Sequence, residues 1–401
     1  MQDFFVKIGR QKIKIDRRVF IALLDFAPIE DLASYKNALR NNEINLIDLK
    51  DLAQRTDIPY PLFFAPKAKI DPQIKDYQKS IESKFVTKNE MQLGYRGFMK
   101  AGDIALLIRD MGRKQEFLKN RIFPSAADNI YIGSLVKQAK EGASKKQIAD
   151  SIKKYFNIDL QYMRGLSKKS IIAYLCDKIE NKNIFVSTSS YRYMPQEIDK
   201  KLRMSGFCIK DKKFPFIFIN NRDGDEKPII LETEGRQIFT LVSMLVCIGM
   251  NKFILNSKRG KMKNPSFPFV YGITAELLVP REDITNMNIV SLEEIRELAK
   301  MFKVTPSVIV YRLAELRIIT PKERNNYLSE LRKDIEGVGG RPKRSPTPTT
   351  GYSKYNGVKF SRDIISAYSR NKITAEETKH ILFRRGKIKS NLLQSYVEKF
   401  K

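Results

Sequence analysis

Histidine is almost absent from this 401-residue chain: there is one, His380. Sites that need paired imidazoles have no raw material here. Cysteine is scarce and scattered. Cys176, Cys208 and Cys247 are odd in number and form no C-x-x-C pair, which argues against a disulfide framework and a zinc ribbon alike. Long apolar runs are missing as well. The longest, Ile238 to Met250, falls short of the about 18 residues a membrane span requires, so no membrane contact is expected. The N-terminus, MQDFFVKIGRQKIKID, lacks the continuous apolar segment of a signal peptide. Together these absences point to a reducing, cytoplasmic setting. Negative charge is in short supply too: 45 Asp and Glu stand against 74 Lys and Arg, for a net charge of +29.

What is present suffices for folded domains. Apolar residues make up 42% and aromatics 10%, enough to build packed cores. The length fits two or three domains, because single cores stop growing well below it. The positive charge favours a polyanionic partner, nucleic acid first, through release of condensed counterions. It is unevenly spread: residues 301–401 hold 22 Lys and Arg against 9 acids, while residues 201–300 hold 16 against 12.

Periodicity sets out an α+β, mostly helical chain. Residues 1–82 open on KIKID, alternating basic and apolar as a strand or arm does, and continue with apolar residues at helical spacing. Ile44, Leu46, Leu49 and Leu52 predict a short helix that Asp57 closes before Pro59 and Pro61, the shape of half a helix-turn-helix. Residues 83–182 read as helices. Ile104, Leu107, Ile108 and Met111 share a face that Phe117, Leu118 and Ile122 extend, and Ser144 with Gln147 has capping-box spacing. Over 183–285 the period shortens. NIFVSTSSY and FPFIFINNRDGDEKPIILE are strand-like, with a turn at Asn221–Gly224, and Asp223, Asp225 and Glu226 read as a solvated turn.

The apolar helix RQIFTLVSMLVCIGMN, Arg236 to Asn251, follows the strands, and Ala275 to Pro280 ends a second one. Residues 286–336 carry the cleanest local pattern. Ser291 and Glu294 cap one helix; Thr305 and Pro306 begin another. Two short helices across a tight turn make a helix-turn-helix, whose second helix would present Ser307, Tyr311, Arg312 and Arg317 to DNA. Residues 337–351, GVGGRPKRSPTPTTG, read as a linker with Arg341, Lys343 and Arg344 clustered for phosphates. Residues 352–401 recover helical pattern, with Thr374 as a cap and Arg384, Arg385 and Lys387 as a further basic patch.

The order of these segments resembles the long form of the ImmA/IrrE family of phage- and element-associated zinc peptidases. The likeness is clearest from about residue 183 onward; before it, IRDMGRKQEFLK is the most similar piece. Arg236, Phe239, Thr240 and Leu241 match the frame that precedes the family's H-E-x-x-H, and Ala275-Glu276-Leu277-Leu278-Val279-Pro280 matches its downstream block. The resemblance implies a zincin-like domain with a small sheet around an active-site helix. It also implies where the chemistry should sit, and there the chain departs. Ser243 and Cys247 stand at the two histidine positions and Met244 at the glutamate. Such a peptidase needs imidazoles at i and i+4 on one zinc ion and a carboxylate to take a proton from the bound water. Phe267 to Gly272, where the third ligand belongs, has neither carboxylate nor histidine. The expectation is a pseudo-peptidase, not an enzyme, with no cofactor and no metal. It would bind DNA through its basic surfaces and a protein partner through the scaffold, as a regulator of a phage or mobile element. The alternative is an interaction module that senses or neutralises a host-defence or toxin protein without DNA.

Overall fold

The computed structural model describes residues 3–25, 27, 29–30, 32–84, 102–198, 204–221, 234–253, 255–257, 267–285, 287, 291–336, 346–383 and 390–401. The fold is α+β and mostly helical. It begins with a hairpin, β1 (Phe4–Ile8) and β2 (Gln11–Ile15), so the alternating KIKID stretch is a strand. Helices α1 (Arg17–Leu24) and α2 (Ala33–Asn41) cross over to β3 (Glu43–Asn45), which lies parallel to β1. The Asn45 side chain accepts from the Asp48 N–H at 2.7 Å and caps α3 (Leu46–Thr56). Ile44 therefore belongs to a strand and not to the helix expected there. Asp57 ends α3 in the left-handed region at φ 57°. The segment read as half a helix-turn-helix thus runs strand, helix, a 3-10 turn over Tyr60–Phe64, then α4 (Lys67–Glu82).

Helix α5 (Gly102–Phe117) continues through a π-helical turn over Leu118–Ile122. Its Arg109 and Arg113 reach Asp57 at 3.1 and 2.7 Å and tie α5 to the N-terminal unit. Four helices follow: α6 (Ser134–Lys140), α7 (Lys145–Phe156), α8 (Leu160–Gly165) and α9 (Lys168–Glu180). Both bonds of the capping box at Ser144 and Gln147 are made.

Strands β4 (Phe185–Thr188), β5 (Met204–Ile209), β6 (Phe216–Ile219) and β7 (Leu255–Ser257) form a second sheet in the order β4-β6-β5-β7. β4 runs parallel to β6, and β5 is antiparallel to both its neighbours. This sheet is apolar on both faces, and the alternation of side chains sorts them between two cores. Val186, Cys208, Ile217 and Ile219 point to one core, which α10 (Glu234–Gly249) fills. Phe185, Phe207, Phe216 and Phe218 point to the other. Each such buried phenylalanine is worth roughly 1.5–3 kcal/mol.

Behind α10 lie α11 (Phe267–Leu278), α12 (Leu292–Met301), α13 (Pro306–Glu315) and α14 (Pro321–Glu336). The second face is covered by α5 together with α15 (Pro348–Asn356), α16 (Val358–Ser369), α17 (Ala375–Phe383) and α18 (Ser390–Phe400). Helix α15 begins inside the stretch read as a linker. The C-terminal helices also seal one edge of the sheet. Glu180 accepts from the Val186 N–H at 3.3 Å and from the Lys359 N–H at 3.0 Å, and Ser187 Oγ donates to the Tyr355 carbonyl. Gly357 passes so close, at φ 84°, that a Cβ there would lie 2.3 Å from the Val186 oxygen.

Candidate nucleic-acid interface

A Cβ on Gly206 would meet Phe218 O at 2.4 Å across the sheet and, from α10, Thr240 Cγ2 at 3.1 Å, so both close in on the bare backbone there. Ser243, Met244 and Cys247 are 1%, 0% and 0% exposed, inside the first core. The Ser243 hydroxyl has no hydrogen-bond partner among the described residues. Among the described residues no three His, Cys, Asp or Glu side chains group as metal ligands do. Zinc, which the family resemblance implies, does not fit a serine, a thioether and a lone thiol set in an apolar core. The turn and strand expected at Arg222–Glu232 lie outside the described residues.

The helical pair α12–α13 forms as its caps dictate. Both bonds of the Ser291–Glu294 capping box are present, and Pro306 sits at the first position of α13, although Thr305 makes no side-chain capping bond. Ser307 is half-buried. Tyr311 is 43% exposed, and its ring meets Tyr271 edge-on with centroids 6.0 Å apart. Arg317 is exposed, with φ 60° just beyond the end of α13.

Arg312 departs from expectation. It is 1% exposed and points inward. Nε donates to the Val279 carbonyl at 3.1 Å, Nη1 to Glu315 at 2.8 Å, and Nη2 to Glu276. The reason is α11: it carries the buried Glu276 carboxylate against that face of α13, and a buried carboxylate needs a cation. Burial acts to raise the Glu315 carboxyl, but bonds from Lys145 and Arg312 outweigh it and hold the group below its ordinary range. Ion pairs Lys145–Glu315 and Lys146–Glu282 cross a cleft of about 670 Å³ above this floor. Charge over residues 286–336 is nearly balanced, nine Lys and Arg against eight Asp and Glu. A helical pair with its central arginine internalised and nearly balanced charge presents few cations to a phosphate backbone.

The basic charge lies elsewhere. Residues 83–182 carry 20 Lys and Arg against 10 acids, and residues 337–401 carry 15 against 4. Arg341, Lys343, Arg344, Arg384, Arg385 and Lys387 lie outside the described residues. The fold brings the two segments together where α9 packs against α16. Lys354 of α15 is pushed down to about 8, first by burial and then by the nearby Lys169 ammonium of α9. Such a like-charge encounter costs energy. Arg362 on α16 is exposed, as are Arg370 and Lys372 just after it. Motif reading passed over Lys169, Lys354, Arg362, Arg370 and Lys372. Searches of family models, of curated proteins and of solved structures find no match to this chain.

Proposed function

We propose that this protein is a DNA-associated regulator built on an ImmA/IrrE-like, zincin-like scaffold that has lost its peptidase chemistry. The observation that carries this reading is the pairing of two basic segments. They hold 35 of the 74 Lys and Arg but only 14 of the 45 acids, and they meet at Lys169 and Lys354. The DNA surface is then the α9–α15–α16 face and not the helix-turn-helix-like pair. In this reading the protein is not an enzyme and acts in the cytoplasm of a cell that carries the phage or mobile element. No helix of the described residues is long and apolar enough to cross a membrane. Fluorescence anisotropy with labelled duplex DNA tests it. Binding at low ionic strength should weaken steeply with added salt, and absence of binding at low salt would sink the reading.

The near charge balance of α12–α13, together with the exposed Tyr311 and Met301 (43% and 40%), favours a second use for that pair: docking a protein partner, a host-defence or toxin component. Capture of such a partner from lysate that survives nuclease treatment separates this role from DNA binding.

A further inference from the structure

Strand β2 is an edge of the first sheet, whose order is β2-β1-β3. Successive residues of such a strand point their backbone groups alternately toward the neighbour and away from it. The Phe5 N–H donates to the Asn42 carbonyl at 3.0 Å, on the β3 side of β1. Phe5 lies opposite Lys14, and Lys7 opposite Lys12, so these are the non-hydrogen-bonded pairs of the hairpin. Lys12 and Lys14 therefore aim their N–H and C=O groups outward. Among the described residues no strand lies beyond them. Gln11 to Lys14, four of the five β2 residues, are exposed, which leaves the edge open to an extended segment.

The side chains on the two faces of this edge narrow the partner. On one face Lys12 and Lys14 stay exposed while pairing with Glu43 at 3.0 Å and Asp3 at 2.6 Å. On the other, Ile13 and Ile8 are 40% and 37% exposed, at the rim of the core that holds Phe4 and Val6. Residues 1–18 carry six Lys and Arg against two acids. A strand added here would alternate, with apolar residues over Ile13 and negative ones beside Lys12 and Lys14. A second copy of this chain does not meet that pattern. Two β2 strands paired antiparallel about Ile13 would set Lys12 of each against Lys14 of the other, like charges directly opposite. A phosphate backbone would match the lysines but leave Ile13 and the outward backbone groups unused.

We propose that the β2 edge docks an extended, acidic segment of another protein, which joins the sheet as a fourth strand. Its Asp or Glu side chains lie beside Lys12 and Lys14 and its aliphatic ones over Ile13. Main-chain bonds to Lys12 and Lys14 supply the hold, and the two faces supply the selectivity. The edge belongs to the N-terminal core and not to the cores on either side of the second sheet, and its use requires no DNA.

Anisotropy with the full-length protein would compare three labelled peptides of about ten residues, the length of a long strand. One alternates Val and Glu, one alternates Val and Lys, and one is the Val–Glu peptide with methylated backbone nitrogens. The first should bind about tenfold tighter than either of the others, the worth of one or two main-chain hydrogen bonds. Lys14→Pro removes an outward N–H together with the charge, a change that an edge strand tolerates. Lys14→Thr removes the charge alone. The proline variant should lose about tenfold in affinity for the Val–Glu peptide and the threonine variant less. If the proline variant fails to fold, the comparison among peptides on the unaltered protein still decides. Equal binding of the Val–Glu peptide and its methylated form overturns the proposal and leaves charge attraction only. Failure of the Val–Glu peptide to bind overturns it as well. If Lys12→Glu and Lys14→Glu then weaken duplex DNA binding, the hairpin is a nucleic-acid arm.

Discussion

Gly235, in the first turn of α10, touches the backbone of Val304 in the turn between α12 and α13. A Cβ on Gly235 would sit 2.7 Å from the Val304 carbonyl carbon and 3.1 Å from the Thr305 nitrogen. The apolar helix and the helical pair are therefore locked together backbone to backbone, with no side chain between them to give way. Gly235→Ala should cost about 1–3 kcal/mol, the range for forced overpacking. Urea denaturation measures it. Gly272→Ala is the useful contrast, because a Cβ there meets the ends of the flexible Lys145 and Glu315 side chains at 2.7 and 2.9 Å. Equal losses for the two variants would show that the backbone contact at Gly235 is not limiting.

Arg312 predicts a stability defect and no binding defect. Replacing it with Met leaves the Glu276 carboxylate buried without its cation, at a cost of about 3–5 kcal/mol. Adding Glu276→Gln to Arg312→Met should recover part of that loss. At a temperature where the single variant stays folded, its affinity for DNA should equal that of the parent protein. A selective loss of affinity would restore Arg312 to the DNA surface.

Glu180 predicts a pH dependence of stability. Burial raises its carboxyl from 4.5 to about 7, against the opposing pull of the Lys359 and Val186 N–H groups. Lys359 and Asp363 are the charged groups that act on it from α16. A carboxyl that titrates higher in the folded state holds an extra proton between the two values, so stability falls as pH rises from about 4.5 toward 7. The full span is worth about 3 kcal/mol. Glu180→Gln should flatten that slope in urea midpoints taken at intervals between pH 5 and 8. An unchanged slope would place the pH sensitivity elsewhere.

Charge reversal maps the DNA face. Lys169→Glu and Arg362→Glu should each weaken duplex binding about equally for all sequences and lower the salt slope by about 1 per lost phosphate contact. Ser307→Ala and Arg317→Ala should leave affinity and slope unchanged. The opposite pattern would return the interface to α13.

Local signals survived into the structure where a single turn decides them. The capping boxes at Ser144 and Ser291, the Thr374–Glu377 cap and the left-handed stop at Asp57 were legible because each involves residues three or four apart or one φ angle. Strand β5 was not legible. Its sequence, MSGFCI, carries a central glycine, and the reason for Gly206 lies across the sheet at Phe218. Ile44 fitted a helical period, yet the Asn45 cap starts the helix after it.

The candidate interface was less readable still. Nothing near Arg312 in sequence betrays that Glu276, 36 residues earlier, turns it inward. Nor does any local pattern show that Lys169 and Lys354 become neighbours. The degenerate positions Ser243, Met244 and Cys247 were legible as residue types, and their burial follows from the apolar residues on every side of them.

The phenylalanine face of the second sheet has a consequence for how the chain is made. Phe185, Phe207, Phe216 and Phe218 share a core with Phe360, Leu382 and Tyr396. During synthesis the strands leave the ribosome well before the helices that cover them. At about 5–20 residues per second, that aromatic surface stays open for many seconds. The nascent chain should therefore need a chaperone's cover through that interval, and stalled synthesis before α18 should yield aggregates in place of a smaller folded product.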